Sequence, residues 1–253
     1  MSATVSQLLA LLDQIAPLSG AEEWDNVGLL AGRPDASVDT VLCALDLNPA
    51  VLDEAVRSGA QLIVTHHPIL FRGRKNLCET DGEGRLLCAL VRSGIALIAM
   101  HTNYDNACPG VNDALADQLG LTDVQPLENG MRLGMAKAST LGAFAAHAEA
   151  ALGGPVRRYG DSNAAIRRVA VLGGAGEDFI PEAIAAGADV YLTGEVAYHK
   201  ALDAVDNGLC VLEAGHAATE HPGISALARG LQIAADAVEY NIRVLNSEVG
   251  LFC

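Results

Sequence analysis

Apolar residues along the chain gather in short runs separated by Ala- and Leu-rich stretches of mixed polarity. The runs are "TVLCALDL" (40–47), "QLIVTHH" (61–67) and "IALIAMH" (95–101), then "RRVAVLGG" (167–174), "DVYLTGE" (189–195) and "LCVLEAGH" (209–216). Runs of this length predict buried strands. The stretches between them include "PAVLDEAVRSG", "LLCALVRSG", "PEAIAAG" and "HKALDAVDNG". They read as helices, and each closes on a glycine, which can take the left-handed conformation that terminates a helix. Strands alternating with helices predict sheets covered by helices, an α/β architecture. The opening "MSATVSQLLALLDQIAPL" has no basic leader and carries Asp13 within its apolar pattern, so it reads as an amphipathic helix and not as a signal peptide.

The pattern repeats. "EAVRSGAQLIVTHH" begins at Glu54 and "EAIAAGADVYLTGE" at Glu182, an offset of 128, and the two share E-A-x-x-x-G-A-x-x-x-x-T. At the same offset "TVLCALDL" faces "RVAVLGG". Further on, "GIALIAMHTNYD" faces "GLCVLEAGHAATE", which sets His101-x-x-x-Asp105 against His216-x-x-x-Glu220, and "PGVNDAL" then faces "PGISAL". Gly/Ala-rich βα units resemble one another in any case, which accounts for the first match taken alone. Four matches in one order predict a duplication: two similar α/β lobes with corresponding strand ends brought together. Residues 1–125 read as the first lobe and 166–253 as the second. Residues 126–165, which have no counterpart, read as a linking or inserted element, and segments can swap between the lobes.

Composition narrows the function. Aromatic residues make up only 4% of the chain, with one tryptophan, so the cores are aliphatic. A net charge of −15 repels polyanions and argues against nucleic acid or an anionic membrane as partner. It leaves room for a small phosphorylated ligand at a local cationic patch. The longest run free of Asp, Glu, Lys and Arg, Ser58 to Phe71, is too short to span a bilayer. The cysteines at 43, 78, 88, 108, 210 and 253 lack finger or CxxC spacing and read as reduced core thiols. A soluble, cytoplasmic protein is expected.

His66 and His67 adjoin one another at the end of an apolar strand, where successive side chains would point to opposite faces. Both cannot be core residues, but at a strand terminus both can turn toward one ligand, with Pro68 ending the ladder. Ligands of α/β sheets bind at the carboxyl ends of the strands. His66, His67, His101 and His216 all fall there, with Asp105 and Glu220 four residues beyond the last two. Six such donors exceed one tetrahedral ion and suit a pair of divalent cations about 3.5–4 Å apart. His101 could alternatively orient Asp105 without ligating. His147 and His221 read as solvated surface residues. Zinc, manganese, iron, cobalt and nickel all suit such donors.

"EEWDNVGLLAG" (22–32), "VTHHPILF" (64–71), "MHTNYDNACPGVNDALA" (100–116), "LTGEVAYHKALDA" (192–204) and "GHAATEHPGISAL" (215–227) resemble the recognition blocks of the GTP cyclohydrolase I type 2 homologue family, the Nif-three-like proteins. The resemblance runs almost end to end. It implies two intertwined α/β lobes, a two-metal site between them and a homohexamer. The ligands it implies are His66, His67, Asp105, His216 and Glu220, with His101 adjacent.

Other residues are candidates for supporting roles. Arg72, Arg74 and Lys75 in "FRGRKN" follow the paired histidines and either clamp a phosphate or form a solvated loop. If "GEVAYHKALDA" opens a helix, Glu195 and His199 share its face and could relay a proton; otherwise Glu195 is simply favoured by the helix dipole. "GGAGED" (173–178) reads as a tight turn after a strand. Trp24 in "WDNVG" either lines the cleft or anchors the first helix. The expected function is a dinuclear metal-dependent hydrolase of a nucleotide-like or other small molecule. The alternative is a non-catalytic metal-binding hexamer that serves as scaffold or regulator.

Overall fold

The computed structural model describes residues 2–250 and divides them into two units, one of residues 2–107 with 224–250 and the other of residues 108–223. Cys253 lies outside the described residues. The chain therefore leaves the first unit at residue 107 and rejoins it at residue 224.

In the first unit the strands are β1 (Ala3–Thr4), β2 (Gly28–Ala31), β3 (Ser37–Val38), β4 (Thr40–Ala44), β5 (Leu62–Thr65) and β6 (Ala96–Ala99). The helices are α1 (Val5–Ile15), α2 (Pro49–Ser58), α3 (Gly82–Ser93) and α4 (Thr102–Asn106). Every residue of β4, β5 and β6 is buried, as parallel strands covered on both faces require. Local signals frame the helices. The Asn48 side chain caps α2 by accepting from the Val51 N–H at 3.0 Å, Pro49 opens that helix, and Gly59 ends it at φ 68°. Asp81 caps α3, and Gly94 ends it at φ 70°. The two helices pack Val51, Leu52, Ala55 and Leu90 against Leu42, Ile63 and Leu97 of the sheet.

The second unit contains α5 (Val111–Gln118), β7 (Thr122–Pro126), β8 (Arg132–Thr140), α6 (Leu141–Leu152), β9 (Arg157–Tyr159), β10 (Ala165–Ala175), α7 (Ile180–Ala185), β11 (Val190–Glu195), α8 (Tyr198–Asp206) and β12 (Cys210–Glu213). Helix α9 (His216–Ala237) starts here and ends in the first unit, whose sheet is completed by β13 (Arg243–Asn246). The second sheet shows period-two alternation. Val169, Val171, Val190, Leu192 and Leu212 meet α5 and α6 on one face. Ala170, Leu172, Tyr191 and Val211 meet α7 and α8 on the other.

The sheets run β13-β4-β5-β6-β2 and β7-β8-β10-β11-β12-β9. Three parallel strands in chain order form the centre of each, and an antiparallel strand flanks β6 in one and β12 in the other. The six apolar runs thus become equivalent strands, as the repeat predicts. The expected division of the chain needs correction. Residues 126–165 are not a linker, because β8, α6 and β9 are parts of the second sheet and its cover. The first unit stops at residue 107 and not at 125, and residues 224–250 belong to it.

One buried charge pair ties α5 to β8. The Arg132 side chain is 1% exposed, and its Nε and Nη2 donate to Asp113 at 2.9 and 2.6 Å, while Nη1 donates to the Gly130 carbonyl at 2.6 Å. Asp113→Ala strands this guanidinium, and we expect a loss of about 3 kcal/mol in urea unfolding; an unchanged midpoint would contradict the assignment. Among the described residues no helix is long and apolar enough to cross a membrane. The five described cysteines are free thiols. Cys78 and Cys108 are exposed and not core, whereas Cys43 is fully enclosed and burial pushes its thiol up to about 12. Native alkylation should label Cys78 and Cys108 first and reach Cys43 only on unfolding, as read by peptide mass spectrometry.

Candidate metal centre

Parallel strands deliver the first donor set to one end of the first sheet. Strand β5 stops at Thr65, and His66 and His67 follow at once; β6 stops at Ala99, and His101 follows two residues later as the N-cap of α4. The rings of His66, His67 and His101 lie 5.0–5.5 Å apart, and one ring nitrogen from each falls within 4.8 Å of the others. Asp105, inside α4, brings Oδ1 to 3.5 Å from His66 Nε2. These groups could bind a metal ion.

Every one of these rings is held through Nδ1. His66 Nδ1 lies 2.8 Å from the Met100 carbonyl, His67 Nδ1 2.8 Å from Asp46 Oδ1, and His101 Nδ1 2.9 Å from Asp25 Oδ1. A carbonyl or carboxylate oxygen can only accept, so in each ring Nδ1 carries the proton and donates it. That leaves the Nε2 lone pair as the ligating position, the arrangement in which metal-binding imidazoles are commonly oriented. Asp25 is itself fixed by the Thr102 N–H at 3.0 Å and by the Thr102 hydroxyl. Burial alone would raise the Asp25 carboxyl, but the hydrogen bonds from His101 and Thr102 and the nearby imidazole hold it below its ordinary value. It stays ionised and keeps the His101 proton on Nδ1. His101 Nδ1 thus faces Asp25, and its ring stands beside those of His66 and His67.

In the second unit His216 opens α9 and Glu220 follows one turn later, with Nε2 and Oε1 3.2 Å apart. Glu195 Oε1 stands 3.3 Å from His216 Nδ1, within ion-pairing distance. Glu195 is the last residue of β11, while His199 lies exposed on α8, so the helix face expected to join them does not exist. At the 128-residue offset Glu195 corresponds to His67. "GGAGED" also needs correction. Gly173 and Gly174 lie inside β10 at a bulge, not in a turn after it. A side chain at Gly174, whose φ is 69°, would meet Glu220 Oε1 at 2.4 Å, so glycine there makes the seat of that carboxylate. At Gly194 a Cβ would lie 2.7 Å from His216 Cα, which explains why the position equivalent to His66 carries no side chain.

Arg72 and Lys75 are exposed on the loop after the paired histidines, and Arg74 is engaged by Asp81 at 2.8 Å and Glu83 at 3.0 Å. His221 is exposed, and His147 gives its Nε2–H to the Leu119 carbonyl at 3.0 Å. Asp25 and Asp46 escaped the sequence reading as holders of imidazoles. Asp46 stands just past the end of β4, and that position was its available signal.

The Duf34/NIF3 (NGG1p interacting factor 3) family matches residues 3–250. The chain belongs to that family. It is 38% identical to the GTP cyclohydrolase 1 type 2 homolog of Streptomyces coelicolor, with 95% of this chain and 90% of that one covered. Among solved structures, a Bacillus cereus protein related to NIF3 superposes with a TM-score of 0.94 at 25% identity, covering 100% of this chain and 99% of that one. A Staphylococcus aureus protein superposes at 0.95 with 27% identity, covering 98% and 97%. Membership in Duf34/NIF3 agrees with the blocks read from the sequence, and the fold is the family's.

If the Nδ1 acceptors set the donor geometry, Asp25→Ala and Asp46→Ala should each weaken metal binding by about 10- to 100-fold. Competition with a chromophoric chelator reads this directly, and unchanged affinity in both variants would contradict it.

Proposed function

We propose that the chain is a metal-dependent hydrolase in which His66, His67, His101 and Asp105 act together with His216 and Glu220 to hold two divalent cations. The observation that carries this reading is the set of three neighbouring imidazoles, each with its Nδ1 proton committed to an oxygen of the protein. A second His-x-x-x-carboxylate unit from the other repeat, backed by Glu195 at His216 Nδ1, supplies a matching set. Six donors exceed what one tetrahedral ion accepts. The curated name of the Streptomyces relative points to hydrolytic chemistry on a nucleotide-like molecule.

When bound, two divalent ions would polarise the electrophilic centre of the substrate and lower the pKa of a shared water. The residues do the rest. The imidazoles bind as neutral ligands, Asp105 and Glu220 offset the added positive charge, and Glu195 stands 3.3 Å from His216 Nδ1. Acid should weaken binding, because protons compete for the Nε2 lone pairs.

Elemental analysis of the purified protein should give two metal atoms per chain, and His67→Ala should lower that number. The loaded protein should hydrolyse some member of a panel of nucleotides, phosphoesters and cyclic amides, with rates reduced at least about 100-fold in His67→Ala. Metal absent after reconstitution would sink the metal site. Full loading with no turnover across the panel would sink the hydrolase and favour a scaffold or regulator.

A further inference from the structure

A cavity of about 590 Å³ opens in the first unit between the loop after the paired histidines, the "WDN" turn and helix α3. That volume suits a small molecule. Its lining carries large apolar groups in water: Trp24 is 60% exposed, Phe71 44%, Leu77 51% and Val91 61%. The aromatic pair is ordered edge to face, with centroids 5.7 Å apart at 66°. Both rings also stand against His101, at 6.3 and 6.2 Å, so the aromatic wall of the cavity adjoins the imidazole cluster. Trp24 is thus no anchor for α1. Asn26 fixes this arrangement by donating to the Leu70 carbonyl at 2.6 Å.

The cations at the rim divide by partner. Arg74 is neutralised by Asp81 and Glu83. Among the described residues Arg72 and Lys75, which also line the cavity, enter no ion pair. Acidic residues outnumber basic ones 31 to 16 in this chain, so carboxylates are abundant and two cations beside an apolar cavity still go without one. Aromatic faces favour a flat ring, and an unpaired guanidinium with an ammonium favours an anionic oxygen group.

We propose that this cavity binds the substrate: a flat heteroaromatic ring stacked at Trp24 and Phe71, carrying a phosphate or carboxylate held by Arg72 and Lys75. The inference rests on the hydrolase reading for the use of the site, because a ring seated there lies beside His101. Binding itself needs no metal. The assignment reduces the phosphate clamp from three residues to two and adds an aromatic platform to it.

Trp24 is the only tryptophan, so its fluorescence reports this cavity alone. Metal-free and metal-loaded protein would be titrated at low salt with adenosine 5′-monophosphate, adenosine, inorganic phosphate and nicotinate. Adenosine 5′-monophosphate, nicotinate or both should quench Trp24 saturably. For the phosphate source, the nucleotide should bind at least about 10-fold more tightly than adenosine or phosphate alone, the scale of one charge-assisted contact. The Arg72→Ala/Lys75→Ala variant should lose that advantage while its affinity for adenosine stays the same, and Phe71→Ala should weaken adenosine. Quenching by nicotinate and not by the nucleotide would identify the anion as a carboxylate. No saturable quenching by either anion in either form, or an unchanged affinity for the anion in the double variant, would overturn the proposal. Saturable quenching in a protein that takes up no metal would sink the hydrolase and leave the cavity standing. Full metal loading without quenching would do the reverse.

Discussion

The structure depends most on where three protons sit. Imidazoles at strand ends are useful as ligands only if their free lone pairs converge, and that requires each Nδ1 proton to be given elsewhere. The acceptors are a backbone carbonyl beyond β6, a carboxylate beyond β4 and a carboxylate in the loop before β2. Parallel pairing of β4, β5 and β6 places their C-termini side by side, which delivers the first two, and the antiparallel strand β2 starts beside the end of β6, which delivers the third. The buried, aliphatic strands β4, β5 and β6 fix that edge, and the helices that cover them fix the strands. The donors therefore inherit their geometry from the rigid part of the fold and not from a flexible loop.

The duplicated unit applies the same logic with different residues. Strands β10, β11 and β12 repeat the order of β4, β5 and β6, and the equivalent of His67 is Glu195, whose carboxylate lies 3.3 Å from His216 Nδ1. One repeat places imidazoles at its strand ends, and the other places a carboxylate beside its imidazole. The glycines at 174 and 194 follow from close packing: a Cβ at the first would meet Glu220 Oε1, and one at the second would meet His216 Cα.

Much of this was legible in the sequence because central strands and helix ends leave strong signals. Apolar runs marked β4, β5, β6, β10, β11 and β12, and the glycines at 59, 94, 187 and 208 take the positive φ expected after a helix. The repeat placed the donors at equivalent strand ends. Edge strands left no such trace. Exposed residues dominate β7 and β9, and β13 is at best half-buried, so none shows an apolar run. The segment 126–165 has no counterpart in the repeat and so looked like a linker, and no apolar run marked β13, through which residues 224–250 complete the first sheet. Asp25 and Asp46 were hidden for another reason: an acceptor that orients a histidine from 76 or 21 residues away has no fixed sequence spacing.

The central claim is a statement about tautomers, and it can be checked with no metal present. Long-range proton–nitrogen correlation spectra of the metal-free protein, labelled with ¹⁵N-histidine, distinguish a protonated Nδ1 from a protonated Nε2. With assignments from single His→Gln variants, His66, His67 and His101 should all appear as the Nδ1–H form. Nε2–H signals from these rings would contradict the account, because the lone pairs would then point at the oxygens that are supposed to hold the protons.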